Sequence, residues 1–491
     1  MVETLLGGIC MLVKDVKLRE AIARTLQIKE NEINEETLKQ LTSLSARSSE
    51  IVHLDGLEYA INLQYLDLCG NHIEILDPLK NLRELEVLNV SKNMLRDIQA
   101  LREHRQLLKL DISRNNLYTM DISALAGTIH LEELNLERSK VDNLVYLEHV
   151  KHLHTLYVGI ENGPFPLSIL GTLPKLKELH MNKMWLYDIA DLNYLKNIEI
   201  LDLSTNLFQD LSPLQYMKHT LRYLNLTNNP YLTDCSLLKE FENLEVLELN
   251  YNHIQDFSFL KYLKKLKDLR IVQSGFQDLR FLDGLTKLRK LDVSMNALQH
   301  TEVLAKMRHL EYFKANNCFL TSIDFLVHAK DLLELNVHNN NIQSIDVLKH
   351  CPNIVALDLG KNNVKDIRAL ANMKQLEFLS LSYNNISSLK PLKHLKKLLG
   401  IDLYQNIIED LTPLQDLTNL TALRLDHNSI INLTPLQNLK ELRTLTLKAN
   451  YIIDITPLEH LHKLYELRLE HNPIEDISSL EDLEFFEKFS Y

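Results

Sequence analysis

Three histidines, His149, His152 and His154, fall close enough in the chain to share a metal ion. Tetrahedral zinc needs further nitrogen, sulfur or carboxylate donors. No set of cysteines or carboxylates completes this group. The surrounding apolar pattern puts the three on a return segment and the start of the next strand, so no metal site is expected. Other signatures of catalysis are also missing: no GxxxxGKS or GxxxxGKT phosphate loop, no HExxH helix and no GxSxG nucleophile turn. The chain is expected to be no enzyme and to need no cofactor.

The remaining residues of interest suit recognition. Ile200, Tyr223 and Val246 occupy the same place in three successive segments of one pattern, with Asp202, Asn225 and Glu248 beside them and Tyr251 flanking. Tyr65 and Val87 make a smaller pair, and Phe378, Tyr383 and Tyr404 a third group. Solvation does not require apolar side chains on an exposed sheet. Tyrosine-centred patches in a polar surround have the composition of protein-binding hot spots. The competing explanation is that Tyr and Val are good strand formers.

A repeat places these residues. The segments Leu221–Asn229, Leu244–Asn252, Leu420–Asn428 and Leu442–Asn450 share the pattern LxxLxLxxN. Its last position falls twenty times between Ser49 and Asn472, at spacings of 22 to 24 residues. The LxL core reads as a short strand with alternate residues turned inward. The Asn is expected in a turn, bonding backbone groups of adjacent turns. Proline recurs seven residues later, at Pro78, Pro213, Pro391, Pro413, Pro435 and Pro457, and marks an extended or 3-10 return. One such unit cannot bury its leucines alone, whereas a stack can.

These features define the expected fold class: an α/β leucine-rich repeat solenoid, curved, of about twenty repeats. One parallel sheet forms its concave face and 3-10 or extended returns its convex face. Residues 1–40 are expected as a helical N-terminal cap, 41–477 as the solenoid and 478–491 as a short C-terminal cap. Leu18, Ile22 and Leu26 have helix spacing, and Asn34 is placed to cap a second helix. A short apolar-faced helix is expected from Ser479 to Phe489. Ser139, Glu161 and Met184 interrupt the Asn ladder, and the segment from Gly159 to Pro166 breaks a return.

Charge and composition narrow the function. Lys and Arg total 54 against 66 Asp and Glu, a net charge of −12, without the basic footprint of a nucleic-acid binder. The middle column of the sheet carries four acids and no Lys or Arg in its first ten repeats, and Arg424 and Arg468 near its end. Five scattered cysteines, Cys10, Cys69, Cys235, Cys318 and Cys351, make no disulfide framework and fit a reducing compartment. No run of 18 apolar residues is present, and none is needed for a monomer in the cytoplasm. Glu3 stands where a secretory signal would be basic, so no signal is expected over Leu5–Val13.

The 22-residue form with its return-stroke proline resembles the repeats of bacterial internalins, and is similar to the leucine-rich regulator of type-1 protein phosphatase. The lead-in from Val16 to Leu44, followed by Ile51 to Ile73, resembles an internalin-type cap. The resemblance implies a concave sheet that binds a protein. It leaves three roles: an intracellular scaffold for an unidentified protein partner, an exported surface or secreted adhesin, and a regulatory subunit docking on an enzyme such as a phosphatase. The first is the leading expectation.

Overall fold

The computed structural model describes residues 12–115, 117–141, 143–159 and 165–480. The chain divides into two compact units, Met1–Leu244 and Glu245–Tyr491. Cys10, Glu161 and the expected helix beyond Leu480 lie outside the described residues.

The first unit opens on helix α1 (Val16–Leu26), whose Leu18, Ala21, Ile22 and Ala23 are buried. Asp15 caps it by accepting the backbone N–H groups of Lys17 and Leu18. Asn34 caps the short α2 (Glu35–Leu38) through Glu36 and Thr37, as its place in the sequence led us to expect. Nine three-residue strands follow, from Ser43–Ser45 to Tyr223–Asn225, all parallel. Each strand pairs with the next one repeat on, so Leu44 lies beside Leu66 and Leu66 beside Leu88.

The second unit has eleven such strands, from Val246–Glu248 to Glu466–Arg468, in the same parallel register. The middle residue of every strand is buried, and nearly all flanking ones are partly or fully open to solvent. Full burial of one leucine favours folding by about 1.5–3 kcal/mol, and stacking repeats this in every turn. Where Phe313 replaces the strand leucine, its ring packs edge-on against Phe325 at 5.7 Å.

The Asn ladder binds each turn to the one before. Asn340 donates to the carbonyls of Ala315 and Val337, both at 2.8 Å, and its Oδ1 accepts the N–H groups of Cys318 and Leu320. Asn428 repeats this with Leu403, Leu425 and Ile408. Substitutes keep part of the pattern: Ser139 Oγ donates to Ile112 O at 2.8 Å and Cys318 Sγ to Val293 O at 3.3 Å. Strand pairing runs through the irregular repeats, with Glu133 beside Thr155, Thr155 beside Glu178 and Glu178 beside Ile200.

The returns are 3-10 turns. All six recurrent prolines sit at the first or second position of one, where no donor is needed. An acid or amide commonly caps the turn from two residues before, as Asp410 does for the Thr412 N–H at 2.8 Å. Many of the excess acids are therefore structural. Gly127 ends one return where the chain passes close to its neighbour: a Cβ there would lie 1.6 Å from Arg102 O.

Candidate functional site

The open face of each sheet carries three columns of side chains. The middle column is rich in Asp and Asn for a local reason. A side-chain oxygen at this position accepts the N–H two residues on, as in Asp111 to Ser113, Asp202 to Ser204, Asn225 to Thr227 and Asp402 to Tyr404. One side-chain oxygen is thus committed to the strand's end.

In the first unit, Ile200 pairs with Tyr223 and Asp202 with Asn225 across neighbouring strands. Ile200 and Tyr223 are half-buried rather than fully open, because adjacent strands stand only about 4.8 Å apart and their side chains flank one another. Val246 and Glu248, expected alongside them, open the sheet of the second unit. Tyr251, in that unit, is exposed in a left-handed turn at φ 57°. Tyr65 is exposed and pairs with Val87, and its hydroxyl lies 3.5 Å from Asp67. Asp67 itself is buried, with Arg47 3.6 Å away.

A cluster that reading the columns one by one did not single out lies nearby in the first unit. His180 Nε2 is 2.9 Å from Glu178 Oε1, and its Nδ1 is 3.9 Å from Asp202. The ring stacks on Tyr157 at 4.3 Å, and Tyr157 donates to Glu178 at 3.1 Å. Burial alone would depress His180, but the neighbouring carboxylates of Asp202 and Glu178 outweigh it and hold the imidazole above its ordinary value. Burial would likewise raise Asp202, yet His180 and Ser204 hold its carboxyl below the usual range. Burial and Glu178 push Tyr157 up to about 12. Burial also raises Glu137, against the opposing charge of His180. Glu178 lies two residues before His180 on the same strand and so on the same face, while Tyr157 and Asp202 reach the histidine from the neighbouring strands.

In the second unit, Arg270 bridges Glu248 at 3.3 Å and Asp268 at 2.9 Å, and Lys290 lies 4.9 Å from the Tyr312 ring. Phe378, Tyr383 and Tyr404 are divided between two adjoining depressions. Phe378 borders a cleft of about 330 Å3 over Ala356, Gly400 and Ala422. Tyr383 and Tyr404 have ring centroids 4.9 Å apart and border the other, of about 340 Å3, with Asp402, Arg424 and Asp426. The Tyr404 ring meets His427 edge-on at 5.2 Å.

The three spaced histidines do not converge. His152 lies beside His130 and Lys175, and His149 beside Glu148. Among the described residues no group of three or more His, Cys, Asp or Glu side chains is placed to hold a metal. No helix among them is long and apolar enough to cross a membrane.

Family models described as "Leucine Rich repeats (2 copies)" match residues 61–103 and 374–416, and one described as "Leucine rich repeat" matches 330–386. No curated protein matches the chain. Among solved structures, the internalin InlF of Listeria monocytogenes is 23% identical over 93% of this chain and 95% of its own, with a TM-score of 0.28. Internalin C2 of the same organism is 33% identical over 37% of this chain and 80% of its own, with a TM-score of 0.36. The ectodomain of the Arabidopsis receptor kinase HAESA, solved with a peptide hormone ligand, is 20% identical over 87% of this chain and 78% of its own, with a TM-score of 0.59.

Proposed function

We propose that this chain, a leucine-rich repeat protein whose repeats resemble those of internalins, is a non-enzymatic scaffold that holds a protein partner on the open face of its sheet. The fold is one that commonly serves protein–protein interaction. HAESA shares the fold and is solved with a peptide hormone, but the reading here rests on this chain's own side chains.

One observation carries it. Strand pairing satisfies the backbone of the face, yet aromatic side chains stand open on it: Tyr65 at 39% and Phe378 at 52% exposure. Neither ring is needed to fill the leucine core, and both lie within a polar surround of Asp and Ser that makes the patch selective. Four described cysteines, Cys69, Cys235, Cys318 and Cys351, are buried free thiols, which supports a reducing, cytoplasmic setting over export. Cell fractionation tests that placement, and recovery of the protein from culture medium would overturn it.

The binding reading is tested by capture with the whole chain, comparing variants of the two faces. Phe378→Ala and Tyr65→Ala on the sheet are expected to lose the captured protein. Tyr216→Ala, an exposed ring on a return, is expected to retain it. Loss with Tyr216→Ala and retention with both sheet variants would place the partner on the returns and overturn the reading.

A further inference from the structure

The outer column of the second unit changes character over three neighbouring strands. Ala356–Asp358, Phe378–Ser380 and Gly400–Asp402 lie side by side in register. Phe378 stands between a residue with one methyl group and a residue with none. Its ring lies toward the glycine, where a Cβ on Gly400 would come within 3.3 Å of Phe378 Cδ1. The small neighbours leave the cleft of about 330 Å3 open beside an aromatic wall.

The middle column completes the cleft. Asp358 and Asp402 flank Ser380, one on each side. At about 4.8 Å per strand the two carboxylates stand roughly 10 Å apart, with only a short hydroxymethyl group between them. Asp358 Oδ1 accepts the Gly360 N–H at 2.9 Å, and Asp402 Oδ1 the Tyr404 N–H at 3.0 Å. His338 Nδ1 also lies on Asp358 Oδ1, at 3.4 Å. The Oδ2 of each acid accepts no hydrogen bond from the described residues. Burial raises Asp402 above the usual carboxylate range; the Tyr404 N–H and Arg424 oppose this without cancelling it, and Asp358 and Asp426 add to it. The site has an excess of negative charge.

We infer that this cleft is a subsite for an arginine side chain of the partner, its guanidinium seated over Ser380 between the outward oxygens of Asp358 and Asp402 and its face against Phe378. The inference rests on the scaffold reading and adds the chemistry of what is recognised. Arginine fits better than lysine. Its planar fork has donors on both edges and can address two acids at once, while an ammonium is a point charge. A guanidinium also stacks on an aromatic face. Leucine or valine would leave both carboxylate oxygens desolvated without a donor.

The test uses the whole chain and three capped tripeptides: acetyl-Ala-Arg-Ala-amide, the same peptide with citrulline, and the same with glutamate. Saturation-transfer NMR at low salt reads contact between protein and peptide. The arginine peptide is expected to give a signal about tenfold above citrulline, its neutral counterpart of nearly the same shape, and glutamate none. Gly400→Leu fills the cleft and is expected to abolish the arginine signal. The double variant Asp358→Asn/Asp402→Asn keeps side-chain shape and is expected to do the same, so the test stands even if Gly400→Leu does not fold. Equal signals for arginine and citrulline, or an arginine signal that survives the double variant, would overturn the inference. The scaffold reading would be untouched by that result, since it stands or falls on partner capture by the two faces.

Discussion

The side-chain oxygen of Asn340 accepts the backbone N–H of Leu320, twenty residues earlier, at 2.9 Å. With its bonds to Cys318, Ala315 and Val337, one buried amide satisfies four backbone groups that no strand partner reaches. Asn340→Ala is expected to cost about 1–3 kcal/mol, because these groups stay buried and unpaired. Asn336→Ala loses a single bond to His338 at a half-open position and is expected to cost about 0.5 kcal/mol. Urea unfolding of the two variants checks the difference; equal losses would contradict the ladder.

Two histidines of the first unit should give opposite pH dependence. His180 is held above its ordinary value by Asp202 and Glu178 despite burial. Its contribution to stability is full below about pH 6.5 and is lost as the pH rises through its folded value. His104 is the reverse: burial holds it below its ordinary value, with Nε2 3.1 Å from Leu79 O. Its contribution is full above about pH 6.5 and is lost as the pH falls toward its folded value. Melting temperatures across this range check both signs. His180→Gln should flatten the alkaline decline, and His104→Leu, which matches Leu82 one repeat earlier, the acid one.

Nearly every turn forces a left-handed residue just before the ladder position, and most of these are not glycine. Gln405 at φ 53° and Lys361 at φ 51° are examples. A side chain there costs roughly 1 kcal/mol against right-handed backbone. Gln405→Gly should relieve this, offset in part by the freer unfolded chain, for a net effect between zero and about 1 kcal/mol stabilising. Gln405→Val should destabilise. Thermal melts rank the three proteins.

Tyr223 lies beside Ile200 on the open face and is half-buried. Tyr223→Ala should weaken capture of a sheet-face partner by more than about 1 kcal/mol, with little change in melting temperature. A binding isotherm beside a melting curve decides. A large fall in melting temperature would make Tyr223 a packing residue, and unchanged affinity would remove it from the binding surface.

The repeat was legible in the letters because it is periodic. LxxLxLxxN fixes which leucine turns inward, which Asn bonds backwards and where proline opens a return, and each is a local matter of strand alternation and unpaired backbone groups. The columns in which the candidate residues stand were legible for the same reason; of the two helix caps, Asn34 was legible by its position before the helix and Asp15 was not. What lay across strands was not legible. Tyr157 stacks on His180, and Ala356 and Gly400 clear the ground around Phe378, only because parallel strands bring residues of different repeats within one side-chain length. That distance depends on the stacking of whole turns, and no window of sequence contains it.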